Sequence, residues 1–154
     1  MISDNYKHHS KLQETLIADF LGWTVISGSG CRPLYPGDVK SDSWLGECKT
    51  HIEPNHKICF YFNVWDKIDQ EAISQFKEPV LFVDDGSKKL QNTYVMFKSP
   101  VLIESDISNI PDYSSKSSIS FSLESFDKVL IFQRYEQLFM ILNVMEFKQY
   151  IGLE

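Results

Sequence analysis

From Asn5 to Leu21 apolar residues recur every four positions. Leu12, Leu16 and Phe20 form the stripe, Ile17 and Leu21 widen it, and Gly22 supplies a stop. That spacing predicts a helix, with Glu14 off the centre of its apolar face. Trp23–Ser27 is a short β-type run, and Ser27–Gly37 is a loop rich in Gly and Pro. Trp44–Thr50 follows as a strand and Ile58–Phe62 as a second apolar-aromatic stretch. Val64, Ile68, Ala72 and Phe76 restore the four-residue spacing of a helix. Pro79–Val83 reads as a buried strand, Asp84–Lys89 as a turn and Thr93–Phe97 as the next strand. Helix, hairpin, helix, strand, strand is the order of an α/β fold around a mixed sheet.

Beyond Pro100 the pattern changes. Ile110–Ser118 is rich in serine and reads as a flexible connection, and Ser120–Leu123 as a short strand. Leu123–Tyr150 is expected to be helical, apolar on several faces around Val129–Phe132 and Leu138–Leu142. Such a helix needs cover, either from a second copy or within the monomer. No internal repeat is present, and at 154 residues one domain is expected, with a core over about 1–100 and an extension over about 101–154.

The stretch Gly37 to His51 carries the candidate chemistry. Glu47 and Lys49 are separated by one residue, so on a strand both side chains project from one face. A turn containing Ser41, Asp42 and Ser43 would fold the Asp38 strand back against them. Two carboxylates and an ammonium would then meet at one spot, a site for a divalent cation beside a reactive water.

Asp38, Glu47 and Lys49, with Cys48 at the variable position, resemble the signature of the PD-(D/E)XK nucleases. Glu14 and the loop Ser27-Gly28-Ser29-Gly30 extend the likeness toward Holliday junction resolvases and related phage endonucleases. The resemblance covers roughly the first half of the chain. One departure is that Gly37 precedes Asp38, with Pro36 one place earlier.

The resemblance implies a restriction-endonuclease-like core, a mixed β-sheet flanked by helices, and metal-dependent hydrolysis of DNA phosphodiester bonds. Asp38, Glu47 and the Cys48 backbone carbonyl would hold Mg²⁺, with Mn²⁺ as a substitute, and Glu14 would bind metal directly or through water. Lys49 would orient or help deprotonate the water and stabilise charge on the phosphate. Ser27, Ser29 and Arg32 are candidates for phosphate contact, as is Lys67 at the start of the second helix, with Gln70 a weaker one. His51 would share the Lys49 face. Branched DNA, a homodimer and a cytoplasmic location in a bacterial, archaeal or phage-infected cell complete the expectation, since one site cuts one strand.

Composition changes this picture little. Apolar residues make up 43% and aromatic residues 14%, which suits a folded protein, and Trp44, Trp65 and most Phe are expected in its core. The three cysteines, Cys31, Cys48 and Cys59, lack the spacing of a zinc site or disulfide framework, and no signal peptide or membrane-spanning run is seen. His8, His9, His51 and His56 likewise lack metal-site spacing. The net charge of −6 opposes general nucleic-acid binding. Residues 1–60 are nearly balanced, with six Lys/Arg against seven Asp/Glu, and Glu14, Asp38 and Glu47 are among the seven. Two alternatives stand beside the resolvase reading: a restriction or homing endonuclease, and a non-catalytic DNA- or protein-binding module of the same fold.

Overall fold

The computed structural model describes residues 2–27, 36–99 and 109–152. Ser29 and Arg32, with Gly28 and Gly30, lie outside these residues. Helix α1 (Ile2–Leu21) leads into β1 (Thr24–Val25), β2 (Val39–Lys40) and β3 (Trp44–Lys49). After β4 (Lys57–Tyr61), helix α2 (Phe62–Ser74) returns the chain to β5 (Glu78–Asp84), which lies parallel to β3. Strands β6 (Thr93–Lys98), β7 (Ser118–Ser122), β8 (Leu130–Arg134) and β9 (Gln137–Asn143) follow, and helix α3 (Val144–Gly152) closes the described chain. A seven-stranded mixed sheet runs in the order β1-β2-β3-β5-β6-β9-β8, and β4 pairs with β7 in a second, two-stranded sheet. The protein is therefore mixed α/β.

The pleat sorts the apolar side chains into two cores. Leu45, Leu81, Val83, Met96, Phe139 and Ile141 pack against Phe62, Trp65 and Ile68 of α2 on one face. Val80, Phe82, Val95, Phe97 and Cys48 pack against Ile17 and Ala18 of α1 and Phe147 of α3 on the other. Both tryptophans expected inside are buried there, Trp65 under β9 and Trp44 among Trp23, Phe97 and Phe147. Central strands buried on both faces read as continuous apolar runs, as Pro79–Val83 does.

Three expectations need correcting. Leu123–Tyr150 is not one helix: it contains a hairpin, and only at Val144 does helix α3 begin. Tyr135 and Glu136, both with positive φ, make the two-residue turn between β8 and β9. The run Leu138–Leu142 is apolar on all sides because β9 lies inside the sheet between β6 and β8, so no separate cover is needed. On α1 the stripe is turned: Gln13, Glu14, Ile17 and Ala18 are buried while Leu12 is 47% exposed. The sheet corner beneath the helix accepts polar groups there, which the apolar stripe did not anticipate. The segment expected to be a flexible connection is tied down at Gln133, which exchanges backbone hydrogen bonds with Pro111 and Tyr113.

Candidate functional site

The corner lies where β2 and β3 meet beneath α1. Gly37, with φ of 81°, turns the chain into β2, a conformation closed to proline, so the departure from Pro has a structural cause. The Ser41–Trp44 turn then reverses the chain. The Ser41 N–H donates to the Trp44 carbonyl at 3.0 Å, and the Ser41 hydroxyl accepts from the Trp44 N–H at 3.1 Å. Strands β2 and β3 pair antiparallel with Val39 opposite Gly46, which sets Asp38 beside Glu47.

Asp38 is held on both sides. Its N–H donates to the Gly46 carbonyl and its own carbonyl accepts from Ile26, each at 2.8 Å. Its Oδ2 accepts the Cys48 N–H at 2.9 Å. Glu47 and Lys49 share a face of β3, and the Lys49 ammonium lies 3.1 Å from Glu47 Oε1. Glu14 descends from α1 and is almost fully buried. The four residues expected to act together thus stand at one corner.

The electrostatics follow from that crowding. Burial, and then the Asp38 charge, push the Glu14 carboxyl up to about 7. The same two causes raise Glu47, with the Lys49 and Lys67 ammoniums opposing them. Burial lowers Lys49, but the charge and hydrogen bond of Glu47 outweigh it and hold the ammonium above its ordinary value. Burial drives the Cys48 thiol well up, reinforced by Asp38, Glu14 and Glu47, so it stays protonated and inert.

The comparisons add no relative. The chain matches no family model, no curated protein and no solved structure.

Three carboxylates in one partly buried corner suit a hard divalent cation with oxygen ligands. Among the described residues, however, no three His, Cys, Asp or Glu side chains stand ready to hold one ion. Glu47 is engaged by Lys49, and Asp38 by the Cys48 amide. A cation would have to draw Glu47 away from its ammonium, freeing Lys49 to face an anionic substrate.

The other expected contacts are less uniform. Lys67 is exposed on α2, 3.9 Å from Glu71, with its charge still felt at Glu47. Gln70 is exposed on the same helix, Ser27 is exposed after β1, and the His51 side chain is exposed beyond β3. Two residues escaped the sequence reading. The Gln13 amide donates from Nε2 to the Lys49 carbonyl at 2.7 Å and so ties α1 to the strand of the site. Lys88 donates to the backbone carbonyl of His51, close beyond that strand. Gln13 carried one signal, a polar residue adjoining Glu14. Lys88 carried none, because a lysine in an exposed turn is ordinarily solvated. Among the described residues no helix is long and apolar enough to cross a membrane.

Proposed function

We propose that this chain is a metal-dependent DNA endonuclease with a restriction-endonuclease-like core, of the Holliday junction resolvase type. The observation that carries the reading is the meeting of Glu14, Asp38 and Glu47 with Lys49 at one corner, where Glu14 is pushed up to about 7. A protein does not gather mutually repelling carboxylates without cost, and perturbed carboxylates in a cluster mark functional sites. A bound Mg²⁺ would supply charge neutralisation of the phosphate and a more acidic water. Asp38, Glu47 and the Cys48 carbonyl would hold it, with Glu14 nearby. Gln13 fixes the backbone at Lys49, which would keep the ammonium in place if Glu47 were drawn to a cation. Lys49 would then orient the attacking water and offset charge gathering on the phosphate oxygens.

Paired nicks on two strands need two copies, so the active form is a homodimer. An acidic protein gains little from unspecific charge attraction, which favours recognition of branched DNA by shape. Incubation with four-way, duplex and single-stranded DNA in Mg²⁺ tests the reading. Cleavage is expected, lost in Asp38→Asn and in Glu47→Gln, with at least about tenfold tighter binding of the junction, or about 1.4 kcal/mol. Full activity in Asp38→Asn, with contaminating nuclease excluded, refutes the site. Equal affinity for junction and duplex removes the resolvase assignment alone.

A further inference from the structure

The spacing of Val64, Ile68, Ala72 and Phe76 would put all four on one stripe of α2, yet the helix ends at Ser74. Ile68 and Ala72 are buried, while Phe76 is 98% exposed. The Phe76 backbone, with φ of 57°, takes the left-handed conformation that usually falls to glycine at a helix end. Its N–H donates to the Ile73 carbonyl at 3.1 Å, and the Lys77 N–H to the Ala72 carbonyl at 2.9 Å, which closes the helix. Ile73, three residues earlier, is itself 60% exposed. Among the described residues nothing offsets the strain of a bulky aromatic residue presented wholly to water. The base of this knob is fixed. The Lys77 ammonium donates to the carbonyls of Ser41 and Asp42 at 2.5 and 2.9 Å, and the Glu78 N–H to the Ser43 carbonyl at 2.8 Å.

Next to the knob lies a hole. Ser43, Trp44, Glu78, Lys98, Gln137 and Tyr150 are among the walls of a cleft of about 360 Å³. It opens at the end of the sheet where β3, β5 and β9 begin and β6 ends. A cavity of about 150 Å³ already accepts a benzene ring, so the cleft has room for a phenylalanine side chain. Trp44 and Tyr150 give it aromatic walls, against which a ring packs edge-to-face or offset. The Lys98 ammonium is engaged by Asp69 at 2.7 Å, so the cleft holds out little to a small anion. Glu78, one of its walls, is two residues from Phe76. Knob and hole therefore lie side by side at one end of the molecule. A two-fold axis between them would bring each knob to the hole of the other copy, and the assembly would close at two.

We propose that this end of the sheet is a dimer interface, in which Phe76 of one copy enters the cleft between Trp44 and Tyr150 of a second copy, and reciprocally. The inference rests on the nuclease reading above for its expectation of two copies. A buried Phe removes about 150–250 Å² from water. Two knobs and the cleft walls they cover therefore bury about 800 Å², short of the roughly 1,200 Å² of a stable interface, which makes the dimer a weak and reversible one. Lys49 stands at the far end of β3 from Trp44, about 17 Å away at the rise of a strand, so both acidic corners stay open in the dimer.

Sedimentation equilibrium of the full chain, from about 1 μM to about 1 mM, tests the interface. A reversible dimer with a micromolar Kd is expected. Phe76→Gly removes the knob and suits the backbone, since glycine accepts a φ of 57°. It should weaken the dimer at least about tenfold and leave the monomer as heat-stable or more so. Ser43→Trp fills the cleft from an exposed position and should weaken the dimer as much. Mixed in equal amounts, the two variants should pair better than either alone, because a copy with a knob then meets a copy with an open cleft. A monomer over the whole range overturns the interface, as does a dimer that either variant leaves unweakened or a mixture that pairs no better than its parts. The two readings fail separately. A Phe76-dependent dimer that leaves DNA uncut in Mg²⁺ keeps the interface and removes the nuclease, whereas cleavage by a chain that stays monomeric does the reverse.

Discussion

Replacing Glu14 by glutamine removes a negative charge from a place that disfavours it and keeps the shape of the protonated acid. The native Glu14 carboxyl holds its proton up to a pH of about 7, while the unfolded one ordinarily releases it near 4.5. Between those values the unfolded chain binds fewer protons, so this residue makes folding less favourable as pH rises. The contribution is most favourable below 4.5 and is lost on passing through 7. A rise from 4.5 to about 7 corresponds to about 3 kcal/mol. Water and flexible lysines reach this corner, so about half is realistic, or roughly 1–2 kcal/mol between pH 5 and pH 8. Urea unfolding without divalent metal at those two pH values provides the assay. Near pH 5 the two proteins should differ little. Near pH 8 Glu14→Gln should be the more stable, with its midpoint higher by roughly 0.5–1 M urea for a typical slope of about 2 kcal/mol/M. A stability difference that does not change with pH, or a wild type that gains on the variant as pH rises, refutes the account of the crowded carboxylates.

Further outcomes follow from the same geometry. Because Glu14 must release its proton to serve a cation, Mg²⁺ affinity followed by calorimetry should rise with pH up to about 7 and flatten above it, and in Glu14→Gln this pH dependence should shrink. Lys49→Ala should eliminate turnover yet leave Ca²⁺ binding intact or stronger, because Glu47 loses its ammonium partner; loss of Ca²⁺ binding counts against the role given to Lys49. Gly37→Ala forces a Cβ to 2.8 Å from Leu45 Cδ1 at a φ of 81°, and should cost about 1–3 kcal/mol in thermal unfolding; a neutral result shows that the turn into Asp38 relaxes freely.

The first hundred residues were legible because their patterns were local. The four-residue spacing of Val64, Ile68 and Ala72 and the run Val80–Val83 each show one period, and the strands and helix fall close to the expected bounds. The hairpin at Ser41–Trp44 was readable from its turn residues, and with it the proximity of Asp38 and Glu47. The residues after Leu123 were not, because a strand buried on both faces loses the alternation that distinguishes it from a helix. The break at Gln133–Gln137 holds no Gly, Asn or Asp, and neither Tyr135 nor Glu136 is a residue that favours positive φ, so the turn went unannounced. Gln13 and Lys88 were hidden for another reason: their value lies in which distant backbone carbonyl they meet, at Lys49 and at His51, and no spacing encodes that.

The interior place of β9 also orders events during synthesis. Every acid of the corner and its lysine have been made once Lys49 is added, yet β6 waits for β9 as its neighbour, and Trp44 at the start of the same strand waits for Phe147. Some 88 residues separate Lys49 from Gln137, so at translation rates of about 5–20 residues per second the corner stays without its full support for roughly 4–18 s. A nascent chain thus carries all four side chains of the corner before it has a frame to hold them in place, and only the finished sheet fixes their positions.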